Sequence, residues 1–173
     1  RDLVRSRGLG DVYKRQYLDR QYMLGDDLLV APVFSPDGVV RYYVPEGTWT
    51  NVLNGERIAG PRWIEEQFDY MTMPLLARPG AVIPMQEGRC DTDGDLTDDV
   101  ILKIYDPAAL DSEWRQLVLR HGFEEDAAET IFRIRRTNDV LEVRCDSVED
   151  GWTVECGGQR VQAHAGAATL SVQ

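Results

Sequence analysis

An all-β chain is predicted by three features of this sequence. Short runs of apolar and β-branched residues recur at intervals of about 8–12 residues. Turn dipeptides such as Asn54-Gly55, Asn138-Asp139 and Gly157-Gly158 stand between them. No stretch of useful length holds a 3.6-residue apolar period, so no helix competes. The reading is two small antiparallel β-sandwich units, residues 31–87 and 88–173, preceded by one strand that belongs to something else.

Taken in order, Asp27–Phe34 (DLLVAPVF) is a near-continuous apolar run, the composition of a strand covered on both faces in a parallel sheet. Ser35-Pro36-Asp37-Gly38 carries turn chemistry, with Pro presetting φ and Gly allowing positive φ. Val40, Tyr42 and Val44 alternate with Arg41 and Tyr43, the period of a half-buried strand. Thr48–Leu53 reads as a separate strand after a Pro45–Gly47 turn, and Asn54-Gly55 as a hairpin in which both positions take positive φ. Tyr70–Leu76 reads as an edge strand, because Pro74 has no N–H to give a ladder. Arg78-Pro79-Gly80 turns the chain into Ala81–Met85, and the polar stretch Gln86–Asp99 is the linker candidate. Strands are then expected at Val100–Tyr105, Trp114–Arg120, Thr130–Arg136, Val140–Cys145, Trp152–Cys156, Gln159–Ala163 and Thr169–Val172.

Composition narrows the function. The chain has 173 residues, 43% hydrophobic and 28% charged, with 19 Lys+Arg against 30 Asp+Glu and a net charge of −11. Nucleic acid is excluded as a partner on this balance, since phosphate backbones are held by Lys and Arg. No run approaches the roughly 20 apolar residues that cross a bilayer as a helix, so no membrane partner is expected. Arg1–Gln16 is set apart by five basic and two acidic residues and no period. It resembles the translated adapter tail of an interrupted gene fragment, in which case the natural protein continues upstream. Its basic start is followed by no apolar leader core. The cysteines, Cys90, Cys145 and Cys156, are odd in number and widely spaced. They suggest no disulfide framework and lean towards a cytoplasmic setting. Cys145 and Cys156 could also face each other across a hairpin. With only His121 and His164 beside them, no metal site assembles by spacing, and no cofactor motif is present.

Each constellation that carries chemistry has a structural counterpart. Asp91-Thr92-Asp93-Gly94-Asp95 opens like a calcium loop. In that register, however, Leu96 holds the sharp-turn glycine position and Leu102 the bidentate glutamate position, so a solvated acidic linker is favoured. Glu124, Glu125, Asp126 and Glu129 cluster before a strand, but adjacent carboxylates do not flank a glycosidic bond, and a charged loop is favoured. Trp49, Trp63, Trp114 and Trp152, with Tyr42, Tyr43 and Tyr70, could stack on sugar rings. Each tryptophan also lies in or beside a strand, where burial alone explains it.

Gln21–Phe34 (QYMLGDDLLVAPVF) resembles the close of the catalytic barrel in family 31 glycoside hydrolases, the retaining α-glucosidases and α-xylosidases. The resemblance continues through Val44–Glu56 (VPEGTWTNVLNGE), Gly60–Trp63 (GPRW) and Pro74–Met85 (PLLARPGAVIPM), and the GPRW step is more similar to the α-xylosidase branch. It implies that residues 17–30 hold the last strand of a (β/α)₈ barrel, residues 31–87 a proximal C-terminal β-domain and residues 88–173 a distal β-sandwich. It also implies hydrolysis by two aspartates of the barrel. The family's nucleophile sits in a Trp-Asp motif, and no Trp-Asp dipeptide occurs here. The acid/base lies upstream of the matched region, so no residue of this chain is carried over as catalytic. Met23, Gly25, Asp26 and Asp27 are the residues that could line or brace the barrel face. The chain is then expected to supply stability and subunit contacts in a homo-oligomer, with carbohydrate held by the barrel. Alone, the Asp27–Phe34 strand would be an aggregation hazard. A free-standing carbohydrate-binding β-sandwich, or a structural accessory domain without ligand, are the other readings.

Overall fold

The computed structural model describes residues 20–87, 99–121, 127–148 and 151–172. The tail at 1–16, Cys90, the calcium-like Asp91–Asp95 and the carboxylates 124–126 lie outside the described residues. Strands and their connections account for nearly all of what is described, as the sequence predicts. The chain divides into two compact units between Arg78 and Pro79.

The first unit is a five-stranded antiparallel sheet in the order β1-β2-β5-β3-β4. Its strands are β1 (Tyr22–Leu24), β2 (Leu28–Val30), β3 (Val39–Asn51), β4 (Arg57–Gln67) and β5 (Leu75–Ala77). The long apolar run is thus not one parallel-type strand. Gly25, at φ 62°, turns the chain into a β1–β2 hairpin, and Pro32 and Pro36 cannot donate to a ladder. Only Leu28–Val30 pairs, with antiparallel partners on both sides. Leu29, Val30 and Ala31 are buried while Phe34 is exposed, so the run is not left as an open apolar strand.

Val40, Tyr42 and Val44 are buried as the alternation predicts. The Tyr42 hydroxyl donates to Glu66 Oε2 at 2.8 Å; burial, then the Glu66 carboxylate, pushes the phenol pKa well up. Pro45–Gly47 is not a turn. It is a β-bulge inside one continuous strand, because β3 advances from Val44 to Gly47 while its partner β4 moves only from Arg62 to Gly60. The extra residue flips which face each following side chain takes. Trp49 and Asn51 therefore point inward after the bulge, as Val40, Tyr42 and Val44 do before it. On β4, Ile58 faces Trp49 and Ile64 faces Tyr42 without any change of phase.

The sequence shows β4 poorly, since Gly60-Pro61, a cis peptide, interrupts its pattern. Gly60 is required by space: a Cβ there would overlap the Pro45 carbonyl. In the β3–β4 hairpin only Gly55 takes positive φ, and the loop closes through Asn51. Its N–H donates to Glu56 O and its carbonyl accepts from Gly55 N, each at 2.8 Å. Pro74 does not mark an edge strand. It precedes β5, its carbonyl accepts from Ala31 N at 3.1 Å, and β5 lies inside the sheet between β2 and β3.

The second unit is a sandwich of two four-stranded sheets. Its strands are β6 (Val82–Met85), β7 (Ile101–Ile104), β8 (Arg115–Arg120), β9 (Glu129–Thr137), β10 (Val140–Cys145), β11 (Thr153–Cys156), β12 (Gln159–Gln162) and β13 (Ala167–Ser171). One sheet runs β13-β10-β9-β8 and the other β12-β11-β7-β6. Val82–Met85, grouped by its sequence position with the first unit, pairs instead with β7. The β7–β11 pairing is parallel. Leu102, Ile104, Phe132, Ile134, Leu141, Val143, Val154 and Leu170 fill the space between the sheets. Trp152 anchors them: its ring meets Phe132 edge-on at 5.2 Å and its Nε1 donates to Val148 O at 3.0 Å. At the β11–β12 turn Gly157 and Gly158 both take positive φ, the demand of a two-residue type I′ hairpin.

Two glycines separate space from backbone conformation. Gly60→Ala is expected to cost roughly 2 kcal/mol or more, because backbone must move. Gly55→Ala meets nothing within 4 Å and is strained only by its φ of 78°, so it should cost about 1 kcal/mol. Urea unfolding of the two variants checks the order. Trp152→Ala should cost about 3–5 kcal/mol by emptying the centre of the sandwich, read in the same experiment.

Candidate functional site

One feature of the first unit that can receive another molecule is a cleft of about 1030 Å³. Its walls are the Pro32–Gly38 loop after β2, Leu53 of the β3–β4 turn, and the Gln67–Met73 connection from β4 to β5. Five large apolar side chains on it, Met73 among them, are open to solvent. Tyr70 is fully exposed, Met71 86%, Phe34 70% and Leu53 52%.

Both loops are fastened by their own polar groups. The Asp37 carboxylate accepts from the Ser35 hydroxyl and from Val39 N at 3.2 Å. Gln67 Nε2 donates to Asp37 O at 2.8 Å, and Phe68 N donates to Gly38 O at 2.9 Å. Asp69 Oδ1 accepts from Thr72 Oγ1 at 2.7 Å and Met71 N at 2.9 Å, an Asx turn that holds Tyr70 and Met71 outward. The Ser35 hydroxyl holds the Asp37 carboxyl below the usual carboxylate range, and the Thr72 hydroxyl does the same for Asp69. The cleft rim is therefore anionic at neutral pH. The sequence signal for it was present, in the apolar residues Phe68, Tyr70, Met71 and Met73, but their near-alternation reads as a strand.

The candidates named from sequence are scattered. Met23, Gly25 and Asp26 are exposed and Asp27 half-buried around the β1–β2 turn, where Asp27 O accepts from Arg78 N at 2.8 Å. Trp49, Trp152 and Tyr42 are buried in two different cores. Trp63 packs against Tyr43 at 5.4 Å with the Arg41 guanidinium over its ring. Trp114 carries the Arg135 guanidinium at 4.2 Å and that of Arg144 at 5.3 Å. Burial or a guanidinium accounts for each tryptophan.

Cys145 and Cys156 are free and buried, on β10 of one sheet and β11 of the other; burial pushes the Cys156 thiol up. His121 Nε2 lies 2.7 Å from Thr130 Oγ1. Among the described residues no group of three His, Cys, Asp or Glu side chains is placed to hold a metal ion.

Residues 11–83, which include all of the cleft, match the glycosyl hydrolase family 31 C-terminal domain. That segment belongs to glycosyl hydrolase family 31. The chain is 39% identical over 88 residues to the α-xylosidase XylQ of Lactiplantibacillus pentosus, covering 49% of this chain and 12% of that protein. It is 32% identical over 155 residues to an α-xylosidase of Emericella nidulans, covering 78% of this chain and 19% of that protein. The chain thus spans less than a fifth of the length of either relative.

Among solved structures it is similar to a cycloalternan-forming enzyme of Listeria monocytogenes in complex with a pentasaccharide substrate. The TM-score is 0.63 at 27% identity over 79% of this chain and 13% of that one. The α-xylosidase of Xanthomonas citri shares the fold, with a TM-score of 0.61 at 19% identity over 95% of this chain and 22% of that one.

The Asp69 turn gives a pH prediction. A depressed folded pKa contributes stability that is fully present above the ordinary carboxylate value of about 3.9. That stability is lost as pH falls through the lower folded value. Carboxyl-detected NMR titration should place Asp69 below the ordinary value, Thr72→Val should return it upward, and Thr72→Ser should not.

Proposed function

We propose that this chain is the C-terminal β-portion of a retaining α-glycosidase of the α-xylosidase type, which hydrolyses O-glycosidic bonds in carbohydrate metabolism. The observation that carries the reading is the match to the Emericella nidulans α-xylosidase, because its 155 aligned residues extend beyond the proximal segment into the second unit. In this reading chemistry resides in a barrel encoded upstream. Retention needs two carboxylates on either side of the scissile bond, about 5–5.5 Å apart. This chain has no Trp-Asp motif, and its best-defined carboxylates, Asp37 and Asp69, are committed to their own turns. Its role is to brace the barrel, and the isolated chain is inactive. Carbohydrate reaches the protein through the barrel. The free thiols of Cys145 and Cys156 support a reducing, cytoplasmic setting.

The test is to recover the gene upstream of Tyr17 and assay the full-length protein on p-nitrophenyl α-xyloside and α-glucoside, with the 173-residue chain beside it. Preferential α-xyloside cleavage by the full-length protein, and none by the chain alone, is expected. Preference for α-glucoside would remove the α-xylosidase assignment, and turnover by the chain alone would overturn the division of labour.

A further inference from the structure

We propose that the outer face of the β13-β10-β9-β8 sheet carries a non-catalytic carbohydrate site, which takes a neutral oligosaccharide with Trp114 as its stacking ring. The site lies in the second unit and is independent of what the barrel hydrolyses. Arg133 and Arg135 alternate with buried Phe132 and Ile134, and Glu142 and Arg144 with buried Leu141, Val143 and Cys145. All four therefore face away from the core of the sandwich. Strand pairing sets them in two adjacent rows. Arg135 stands opposite Glu142, and Glu142 opposite Thr169. Gln116 stands opposite Arg133, and Arg133 opposite Arg144. Trp114, half-buried just before β8, lays its ring against a guanidinium of each row, Arg135 at 4.2 Å and Arg144 at 5.3 Å. These two cation–π contacts hold the indole in place, so stacking a ligand on it costs little side-chain ordering.

Around the ring stands the mixture of donors and acceptors that a neutral sugar needs, since its hydroxyls do both. The Arg144 side chain is 55% exposed and its contact with Glu142 Oε2 is a loose 4.0 Å, so its donors remain available. Arg135 and Arg144 both meet Glu142 through Oε2, which leaves Oε1 to accept. Gln116 and Thr169 are exposed, and no described group hydrogen-bonds their side chains. The cleft of the first unit lacks this mixture, because Asp37 and Asp69 serve their own loops. An anion fits the face less well. Glu142 and Asp146, the latter paired with Arg133, stand among the arginines and repel it, on a chain of net charge −11. A second copy also fits less well, because a stable interface has an apolar centre and the two rows are polar apart from Trp114 and Ala167.

Isothermal titration of the 173-residue chain with maltohexaose, cellohexaose and polygalacturonate tests the site. At least one of the two neutral hexasaccharides should bind saturably, and polygalacturonate more weakly. Trp114→Ala should weaken that binding about tenfold. Thr169→Val and Arg144→Gln, both at exposed positions that leave the indole in place, should each weaken it roughly two- to tenfold. Thermal melting of the variants shows whether the fold is kept. Where Trp114→Ala unfolds the second unit, the two exposed variants decide. Saturable binding of neither hexasaccharide would overturn the proposal, and so would binding that all three variants leave unchanged, which moves the sugar to another surface. Tighter binding of polygalacturonate would make the face an anion site instead. Self-association of the chain that Trp114→Ala abolishes, with no sugar bound, would assign the face to a second copy.

Discussion

The β-bulge at Val44–Gly47, set against Gly60 of the facing strand, is the constraint on which the first unit rests. β3 is too long and too mixed in pattern for one unbroken alternation to bury Tyr42 and Trp49 together. One inserted residue changes the phase, so that Val40, Tyr42 and Val44 before it and Trp49 and Asn51 after it all face the core. β4 keeps a constant phase and presents Ile58 and Ile64 to the same side. The closeness of the Pro45 carbonyl leaves room for hydrogen alone at position 60. Remove the bulge and either Trp49 or Tyr42 turns to water, which gives up roughly 1.5–3 kcal/mol of apolar burial for that side chain.

The second unit follows plain alternation without such a device. Along β9 and β10 the inward positions include Phe132, Ile134, Leu141 and Val143, and of the outward ones Glu129, Arg133, Arg135, Glu142 and Arg144 carry charge. Arg135 Nε donates to Glu142 at 2.7 Å, Arg133 pairs with Asp146, and at the other end of β9 Glu129 receives Arg120 at 2.9 Å. Pairs this exposed contribute about 0–1 kcal/mol each. Their larger effect is to keep the outer face of the sheet charged and in register, while the inner face supplies the stability through Trp152 and its neighbours.

Function follows from where apolar surface is left uncovered. The buried tryptophans are committed to packing, and the Asp37 and Asp69 carboxylates serve their own loops. The remaining exposed apolar surface of the cleft sits on loops held rigidly outward. The family match covers every residue that lines it.

The sequence alone determined the all-β class, the family, and most strands of the second unit. It did so because a period of two over six residues, as in Val140–Cys145, and a Gly157-Gly158 turn are local facts that no neighbour can reverse. It also determined that the chain lacks the family's Trp-Asp motif. Only the tertiary structure decided that Pro45–Gly47 is a bulge, that Leu75–Ala77 lies inside a sheet, and that Val82–Met85 joins the second unit. It also turned Tyr70 and Met71 out of any strand. The reason is common to all four. Whether a proline or glycine segment bends, bulges or ends a strand depends on the partner across the ladder, and that partner is brought there by residues far away in sequence.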